Sequence, residues 1–419
     1  MSRNRRNKRN IKNIIELINF KTFLILLTVL ILIIISCIAI ILYRNQQDQL
    51  LLAKQREELN KEIEAIFTET SANISNSNNV KRDSIIRISA VGDILCGEEM
   101  LEDAKKDNQY NFTHMFKNIT SFLEGSDISL GTMESNFINK PYSGYGNRNS
   151  PIEFAKAVKN TGINLVSIST NHSLDYGIEG LKQTKKELQN LGFDTVGDSL
   201  EENSVVIKEI KDTKIAFLSY TYGVENSSSK SKEELNSINI FDKEKAKADL
   251  DYASENSEYI IVIMHWGEDY ATEASKSQKE IANFLVENGA NIILGNHPAV
   301  IQPMEIMKNL KQEPVLVAYS LGNYISSINN DTSKIELVLN IEIRKSIQDN
   351  KVYLSKVEYT PIYVLDNGKK AENRYELIDM KGTAKAYANG NKDIVSKKTY
   401  NKLIKGLELL EKILAIKTQ

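Results

Sequence analysis

Short apolar runs alternate with amphipathic segments along most of the chain, and this pattern predicts a layered α/β domain. Apolar runs bounded by Gly, Asn or Asp predict strands at 85–91, 128–132, 164–168, 214–219, 259–264, 291–294 and 315–319. Apolar positions three or four residues apart predict helices over 113–123, 152–160, 178–190, 243–253 and 275–287. We therefore expect an α/β domain over residues 85–340.

A different pattern follows this domain. Two extended runs over 334–363, separated by the polar turn 348–351, predict a hairpin at the edge of a sheet. The periodic Leu and Ile residues of 396–416 predict a helix that packs on the body of the domain. Residues 341–419 are thus expected to form a carboxyl-terminal hairpin and helix packed on the body.

The most apolar part of the chain lies near its beginning, at 22–43. From Phe23 to Tyr43 there is no charged residue, and a helix of this length spans a hydrocarbon core of about 30 Å. A cleaved signal peptide is the alternative, but its apolar core would be shorter, and no Ala-x-Ala pattern follows Tyr43. Because residues 1–21 hold seven Lys or Arg and one acid, we expect a single-pass anchor in the cell membrane. The amino terminus would be cytoplasmic and the carboxyl-terminal domain extracellular.

Residues 44–84 join the anchor to the domain. Their first half is rich in Gln, Glu, Lys and Leu, which favours a helical stalk that could also form a homodimer; their second half is a polar, flexible linker. Outside residues 1–21 the chain has eight more acids than bases. A mildly acidic body argues against nucleic acid as a partner, because phosphate binding needs a concentrated basic surface.

Candidate metal ligands follow several predicted strands. The chain has four histidines, and His172, His265 and His297 each come directly after an apolar run, as do Asp93 and Glu134. Functional groups of α/β domains collect at the carboxyl ends of strands, and carboxylates with imidazoles are ligands for divalent cations. The alternatives are that Asp93 merely makes a turn after Gly92 and that Glu134 caps a helix.

Four other side chains are candidates for catalysis or binding. The amide oxygen of Asn171 could bind a hard cation while the adjacent His172 faces the substrate as a proton donor. Asp175 could orient His172, or it could simply begin the next helix. Asn323 could contact a substrate or make a turn. Trp266, the only tryptophan, could contact a substrate or pack in the wall of the domain.

Six motifs follow one another along the chain: Val-Gly-Asp-Ile-Leu-Cys-Gly (91–97), Gly-Thr-Met-Glu-Ser (131–135), Thr-Asn-His-Ser-Leu-Asp-Tyr-Gly (170–177), His-Trp-Gly-Glu-Asp-Tyr (265–270), Gly-Asn-His-Pro-Ala-Val-Ile-Gln (295–302) and Tyr-Ser-Leu-Gly-Asn-Tyr (319–324). In this order, they resemble the capsule-synthesis CapA family, also called PgsA, which is related to the calcineurin-like metallophosphoesterases. The resemblance implies a four-layer metallophosphatase-like sandwich. It also implies a role in poly-γ-glutamate synthesis or export at the cell surface.

The same resemblance implies a metal site and a catalytic histidine. The metal ligands would be Asp93, Glu134, Asn171, His265 and His297, holding one or two divalent ions of Mn, Zn or Fe. His172 would be catalytic or face the substrate.

Three positions, in two motifs, depart from the family pattern. The chain has Asn296 and Ala299 in Gly295-Asn-His-Pro-Ala299, where the family usually has Gly-His-His-Pro-His, and Leu95 replaces the histidine of the metallophosphatase Asp-x-His start.

Three functions remain open from the sequence. The first is an outward-facing component of poly-γ-glutamate synthesis or export, whose partners would be the membrane, synthase subunits and the anionic polymer. The second is a metal-dependent hydrolase of a phosphoester or amide bond in the cell envelope. The third is a non-catalytic assembly protein of the polymer synthase.

Overall fold

The computed structural model describes residues 83–201, 204–414 and 417–418, together with Ser36. The basic segment 1–21, the anchor 22–43 apart from Ser36, and nearly all of the stalk and linker lie outside the described residues, so these three predictions stay predictions. Among the residues that are described, no helix combines the length and the apolar composition needed to cross a bilayer.

The strands of the described residues fall into two large sheets and one small hairpin. In chain order they are β1 (Ser84–Ile94), β2 (Lys105–Lys106), β3 (Gln109–Tyr110), β4 (Ile128–Met133), β5 (Leu165–Ser167), β6 (Asp194–Val196), β7 (Val206–Ile210), β8 (Thr213–Thr221), β9 (Tyr259–His265), β10 (Ile292–Asn296), β11 (Met304–Lys308), β12 (Pro314–Ala318), β13 (Asn323–Ile325), β14 (Ile335–Lys345), β15 (Val352–Asp366), β16 (Tyr375–Asp379) and β17 (Lys417–Thr418).

The helices separate most of these strands. They are α1 (Glu98–Ala104), α2 (Thr113–Phe116), α3 (Ile152–Lys159), α4 (Gly177–Asn190), α5 (Lys232–Asn236), α6 (Lys243–Asn256), α7 (Lys276–Glu287), α8 (Met380–Ala388) and α9 (Lys397–Ile413), with short 3₁₀ turns at Thr120–Phe122, Ser227–Ser229 and Thr332–Lys334.

Each large sheet has a parallel centre. The first has the order β16-β15-β14-β1-β4-β5-β6, with β13 also paired to β1. The second has the order β17-β11-β12-β10-β9-β8-β7. Strands β1, β4, β5 and β6 run parallel in the first sheet, as do β8, β9, β10 and β12 in the second. The carboxyl ends of these central strands are where parallel sheets commonly place functional groups.

Alternate residues of the central strands face different layers. In β8, Ile215 and Phe217 pack into a core that also holds Ile86 and Ile88 of β1, so this core lies between the two sheets. The alternating residues Ala216 and Leu218 pack instead with α6 and α7. On the other side, Val91 and Val166 pack with α1, α3 and α4. The layers are therefore helix, sheet, sheet and helix, which confirms the predicted four-layer α/β sandwich for the described residues.

Two element predictions need correction. The hairpin of β14 and β15 exists but is not at an edge, because β14 lies between β1 and β15 and the unpredicted strand β16 pairs with β15. The predicted helix over 113–123 is broken into α2 and a 3₁₀ turn, since Ile119 leaves the helical conformation with φ −124° and ψ −5°. The helix predicted for 396–416 is present as α9 and buries Leu403 and Leu410.

Candidate metal centre and cleft

The predicted ligands from both sheets meet at one point. Asp93 lies at the end of β1 and Glu134 directly follows β4, its parallel neighbour. In the other sheet, His265 is the last residue of β9 and His297 directly follows β10. The cross-strand pair of His265 with Asn296 brings these two ends side by side.

Three of these side chains are close enough together to hold a cation. One ligand atom from each of Glu134, His265 and His297 lies within 4.8 Å of the other two. Asp93 adjoins the group, with Oδ1 at 3.6 Å from Nε2 of His265, while Oε1 of Glu134 is 3.9 Å from the same nitrogen. All four are largely buried, and the side chain of His265 is only 1% exposed.

Unpartnered polar atoms at this point show that the residues fit a cation. Oδ1 of Asp93, Oδ1 of Asn171 and both ring nitrogens of His265 are buried and have no hydrogen-bond partner among the described residues. A buried polar atom without a partner costs about 1–3 kcal/mol, so such atoms seldom cluster unless something else binds them. Carboxylate, amide and imidazole donors together suit a divalent cation such as zinc, manganese or iron.

Burial shifts the pKa values of Asp93, His265 and His297 so that each group favours its uncharged form. It raises the pKa of Asp93 to about 7, against the hydrogen bond from the His297 backbone and the charge of Arg148, which lower it. Burial lowers the pKa of His265 to about 4. It also lowers the pKa of His297 to about 4, with a further lowering from the adjacent His265. A cation would favour the ionised carboxyl and would use the neutral imidazoles as they stand.

Close backbone approaches hold the ligands in place. A Cβ on Gly92 would lie 2.0 Å from the carbonyl oxygen of Gly322, whose neighbouring chain pairs with β1. Gly92 is therefore needed for contact between strands, and Asp93, which lies within β1, does not make the turn that the sequence left as an alternative. A Cβ on Gly295 would lie 1.9 Å from the oxygen of Tyr319. Beyond it, His297 has φ +99°, an uncommon backbone conformation for a residue with a side chain.

The histidine predicted to face the substrate lies beside the cluster. Nδ1 of His172 is 2.9 Å from Oδ2 of Asp175, which is the orienting contact that the sequence suggested. Its Nε2 is 3.2 Å from Nη2 of Arg148. The neighbouring Asn171 donates from Nδ2 to Oε1 of Glu225 at 2.9 Å, which leaves its oxygen free to bind a cation.

The two candidate substrate contacts are placed differently. Asn323 lines the cleft, and its backbone N–H donates a 2.7 Å hydrogen bond to Oε2 of Glu336, a buried carboxyl whose pKa burial raises well above its usual range. Trp266 does not line the cleft: it is buried, and its Nε1 donates to the carbonyl oxygen of Tyr319 at 2.8 Å. Its place among apolar side chains between β9 and the outer helices makes it a packing residue.

A cleft of about 730 Å³ opens above the cluster. Sequence reasoning missed several of its residues: Tyr145, Arg148, Tyr222, Glu225 and Asp269. Asp269 lies in the family-like segment 265–270 but was not singled out, and the other four come from loops without a recognisable motif. Among the described residues that line the cleft, Arg148 is the only Lys or Arg, whereas the acids are Glu99, Glu134, Glu225, Glu268 and Asp269. The mouth of the cleft is therefore acidic around one guanidinium.

The sequence around this site matches a model of a known protein family. The model described as "Bacterial capsule synthesis protein PGA_cap" matches residues 87–328, which is more than half of the chain and includes every predicted site residue. The chain belongs to this family. All the candidate ligands above thus lie inside the part of the chain that defines the bacterial capsule synthesis proteins.

Two curated relatives carry related descriptions. The capsule biosynthesis protein CapA of Bacillus anthracis is 28% identical over 271 residues, covering 62% of this chain and 63% of the relative. The PGA biosynthesis protein CapA of Bacillus subtilis (strain 168) is 25% identical over 250 residues, covering 58% of this chain and 64% of the relative. The chain thus spans less than two thirds of the length of each.

Solved structures with a similar backbone are distant. The NAD nucleotidase NadN of Haemophilus influenzae has 12% identity and a TM-score of 0.44, covering 81% of this chain and 64% of that one. The calcineurin-like phosphoesterase YfkN of Bacillus subtilis has 14% identity and a TM-score of 0.42, covering 79% of this chain and 99% of that one.

Proposed function

We propose that this protein is a membrane-anchored, outward-facing component of poly-γ-glutamate capsule synthesis or export, and that its cleft binds a divalent cation. Family membership supports the role in capsule synthesis, and the description of the Bacillus subtilis relative supports the polymer. The uncharged run from Phe23 to Tyr43 after a basic segment supports the anchor and its orientation. Polymer synthase subunits and the polymer itself are the proposed partners.

One observation carries the proposal of a cation: buried oxygen and nitrogen atoms from two sheets converge without partners. Glu134, His265 and His297 would hold the first ion, with Asp93 and Asn171 adding oxygen ligands to it or to a second ion. Mn, Zn and Fe all suit this mixture of donors. When bound, such a cation polarises an oxygen of the ligand and stabilises developing negative charge.

Metal analysis of the full-length protein tests the cation. We expect elemental mass spectrometry to find about one transition-metal ion per chain, and none in Asp93→Ala and His265→Ala. The matched control is Asp251→Ala, because Asp251 is an exposed carboxylate that pairs with Lys247 outside the cleft. A folded wild-type protein without metal, or variants that keep the metal, would remove the cation from the proposal.

Labelling of intact cells tests the orientation. The chain has two cysteines, Cys37 in the proposed anchor and Cys96, which is buried. A cysteine introduced as Asn76→Cys should react with a membrane-impermeant maleimide, whereas one introduced as Asn7→Cys should react only after the cells are lysed. The opposite pattern, or labelling of neither in intact cells, would contradict an outward-facing domain.

The pair of His172 and Asp175 favours a second candidate, a metal-dependent hydrolase of a phosphoester or amide bond. The 2.9 Å contact orients His172 beside the cluster, where it can move a proton to or from a ligand. Metal-dependent turnover that His172→Ala abolishes, with metal content unchanged, would support this candidate.

Ala299 favours a third candidate, a non-catalytic assembly protein, since alanine has no atom that binds a cation and its side chain lines the cleft. Capsule complementation by Asp93→Ala in a poly-γ-glutamate-producing host would support that one.

A further inference from the structure

Arg148 lies in the cleft on a loop that is held by hydrogen bonds of the next residue, Asn149. The side chain of the fully buried Asn149 donates to the carbonyl oxygens of Lys140 and Pro141, and its backbone N–H donates to Oγ of Ser143. Arg148 itself has φ +56°, an uncommon backbone conformation for a residue with a side chain. Strain of this kind persists where surrounding contacts hold it, and it concentrates at functional positions.

The guanidinium of Arg148 has more donors than the protein satisfies. Nη2 lies 3.2 Å from Nε2 of His172, but Nε and Nη1 are buried and have no hydrogen-bond partner among the described residues. The side chain is 15% exposed, lies over the ring of Tyr145 and comes no closer than 3.8 Å to Oε1 of Glu134. A buried charge with unmet donors is costly to the free protein, and an incoming anion would relieve that cost.

The contact between Arg148 and His172 indicates which ring nitrogen of His172 carries the proton. A guanidinium in a protein is always protonated and can only donate, so Nε2 of His172 accepts from Arg148. The other ring nitrogen, Nδ1, then carries the proton and donates to Asp175. While Arg148 keeps this position, Nε2 is occupied and cannot interact with a ligand.

We propose that Arg148 binds the oxyanion of the ligand, a carboxylate or a phosphate group, and that in doing so it releases Nε2 of His172. The proposal rests on the cleft being the functional site. Because Nε and Nη1 are covered in the free protein, the guanidinium must turn to present them. That turn breaks its bond to His172, so occupation of the oxyanion position and exposure of His172 become one event.

The surrounding acids narrow the class of ligand. Glu99, Glu225, Glu268 and Asp269 line the same cleft, and each would repel a second negative charge placed near it. The cleft therefore suits a molecule that brings one oxyanion to Arg148 and presents neutral or cationic groups to the mouth. For a polyanion, that means a chain end and not an internal run of carboxylates.

Anion binding to the full-length, zinc-loaded protein tests this. We expect isothermal titration calorimetry to show binding of inorganic phosphate, of acetate or of both, and the comparison of the two separates a phosphate from a carboxylate ligand. Arg148→Gln should weaken binding at least tenfold with metal content unchanged, and Arg148→Lys should fall between. The matched control is Lys140→Gln, since Lys140 is an exposed cation of the same loop and does not line the cleft. Its affinity should equal that of wild type.

The nitrogen resonances of His172 give an independent measurement that needs no metal. With only four histidines, ¹⁵N-histidine labelling resolves them, and His172→Gln assigns the signal. We expect Nε2 to be unprotonated in the free protein and to shift both in Arg148→Gln and on saturation of wild type with the anion that binds. If the protein carries no metal, the difference between wild type and Arg148→Gln still tests the contact, so failure of the metal proposal is distinguishable.

Three results would overturn the proposal. One is an equal anion affinity in wild type and Arg148→Gln at equal metal content. Another is a metal-loaded wild type that binds neither anion. The third is an Nε2 resonance that the substitution leaves unmoved. If Arg148→Gln does not fold, the same comparisons apply to Arg148→Lys, which keeps the charge and loses the planar fork.

Discussion

The backbone N–H of His297 donates a 2.7 Å hydrogen bond to Oδ2 of Asp93, across 204 positions of sequence. Asp93 lies near the end of β1 in the first sheet and His297 follows β10 of the second, so this bond joins the two sheets at the candidate site. It uses one carboxylate oxygen and leaves the other, Oδ1, without a partner at 3.6 Å from His265. One side chain thus serves both the packing of the sheets and the proposed cation.

Because of this double role, we expect Asp93→Asn to raise the stability of the metal-free protein and to lower its metal binding. Burial raises the pKa of Asp93 to about 7, whereas it is 3.8 for the exposed group. The folded metal-free protein therefore keeps a proton that the unfolded chain has lost, and its stability falls as the pH rises from about 4 to about 7. We expect metal-free Asp93→Asn to be more stable than metal-free wild type at pH 8, by on the order of 4 kcal/mol.

Thermal unfolding after chelation, with parallel metal analysis, measures both effects of Asp93→Asn. Asp251→Asn is the control, because that carboxylate is exposed and lies outside the cleft. A metal-free Asp93→Asn protein less stable than wild type at pH 8 would show that Asp93 is not forced to ionise against its burial.

We expect the burial of His265 to make the folded protein less stable in acid. Burial lowers its pKa to about 4 from 6.5, so between these values the unfolded chain binds a proton that the folded protein excludes. The stability contributed by the neutral ring is present above pH 6.5 and is lost as the pH falls toward 4, on the order of 3 kcal/mol. We expect His265→Gln to flatten this acid slope in urea unfolding of the metal-free protein. An unchanged slope would contradict the prediction, whatever the absolute stability of the variant.

Substitution of Gly92 should have a steric effect on strand packing, because its close neighbour is the Gly322 backbone and not a candidate metal ligand. A Cβ there would lie 2.0 Å from the carbonyl oxygen of Gly322, so Gly92→Ala must push β1 away from its neighbour. We expect a loss of roughly 3 kcal/mol or more in the free energy of unfolding, together with loss of metal. Gly146→Ala is the matched control, since its Cβ would come no closer than 3.5 Å to any atom. Equal melting temperatures for the two variants would refute the assigned role.

Trp266→Phe separates packing from ligand binding. The indole N–H donates to the carbonyl oxygen of Tyr319, and phenylalanine cannot replace that donor. We expect the variant to lose about 1–3 kcal/mol of stability while its metal content and anion affinity stay those of wild type. An anion affinity that falls while the melting temperature holds would instead restore Trp266 as a ligand contact.

The sequence pattern predicted the framework of this fold well because buried strands of parallel sheets consist of nearly continuous apolar residues. Strands β1, β4, β8, β9 and β10 all appear within a few residues of their predicted positions. Placing Asp93, Glu134, His265 and His297 together needed only the rule that parallel strands end at one edge. Their proposed roles as ligands stay predictions, since the contacts show proximity and fit.

Long-range contacts set what the sequence could not reveal. Arg148 lies in a Gly- and Asn-rich loop whose sequence has no known chemistry, and the hydrogen bonds of Asn136 and Asn149 bring it to His172. The hairpin of β14 and β15 is not at an edge because β16 pairs with β15, and β16 has too few residues to show a pattern. Trp266 could not be placed because the side of β9 on which it lies follows from the packing of the second sheet.

The division of the ligands between the sheets has a consequence for how the protein matures. Asp93 and Glu134 belong to one sheet, His265 and His297 to the other, so neither sheet alone offers a complete coordination sphere. A chain in which only one half has formed would lack part of the proposed ligand set, so capture of the proposed ion would mark the completion of assembly. The cofactor would then act as a latch between two halves, and hydrogen exchange along β1 and β10 should slow together when it binds.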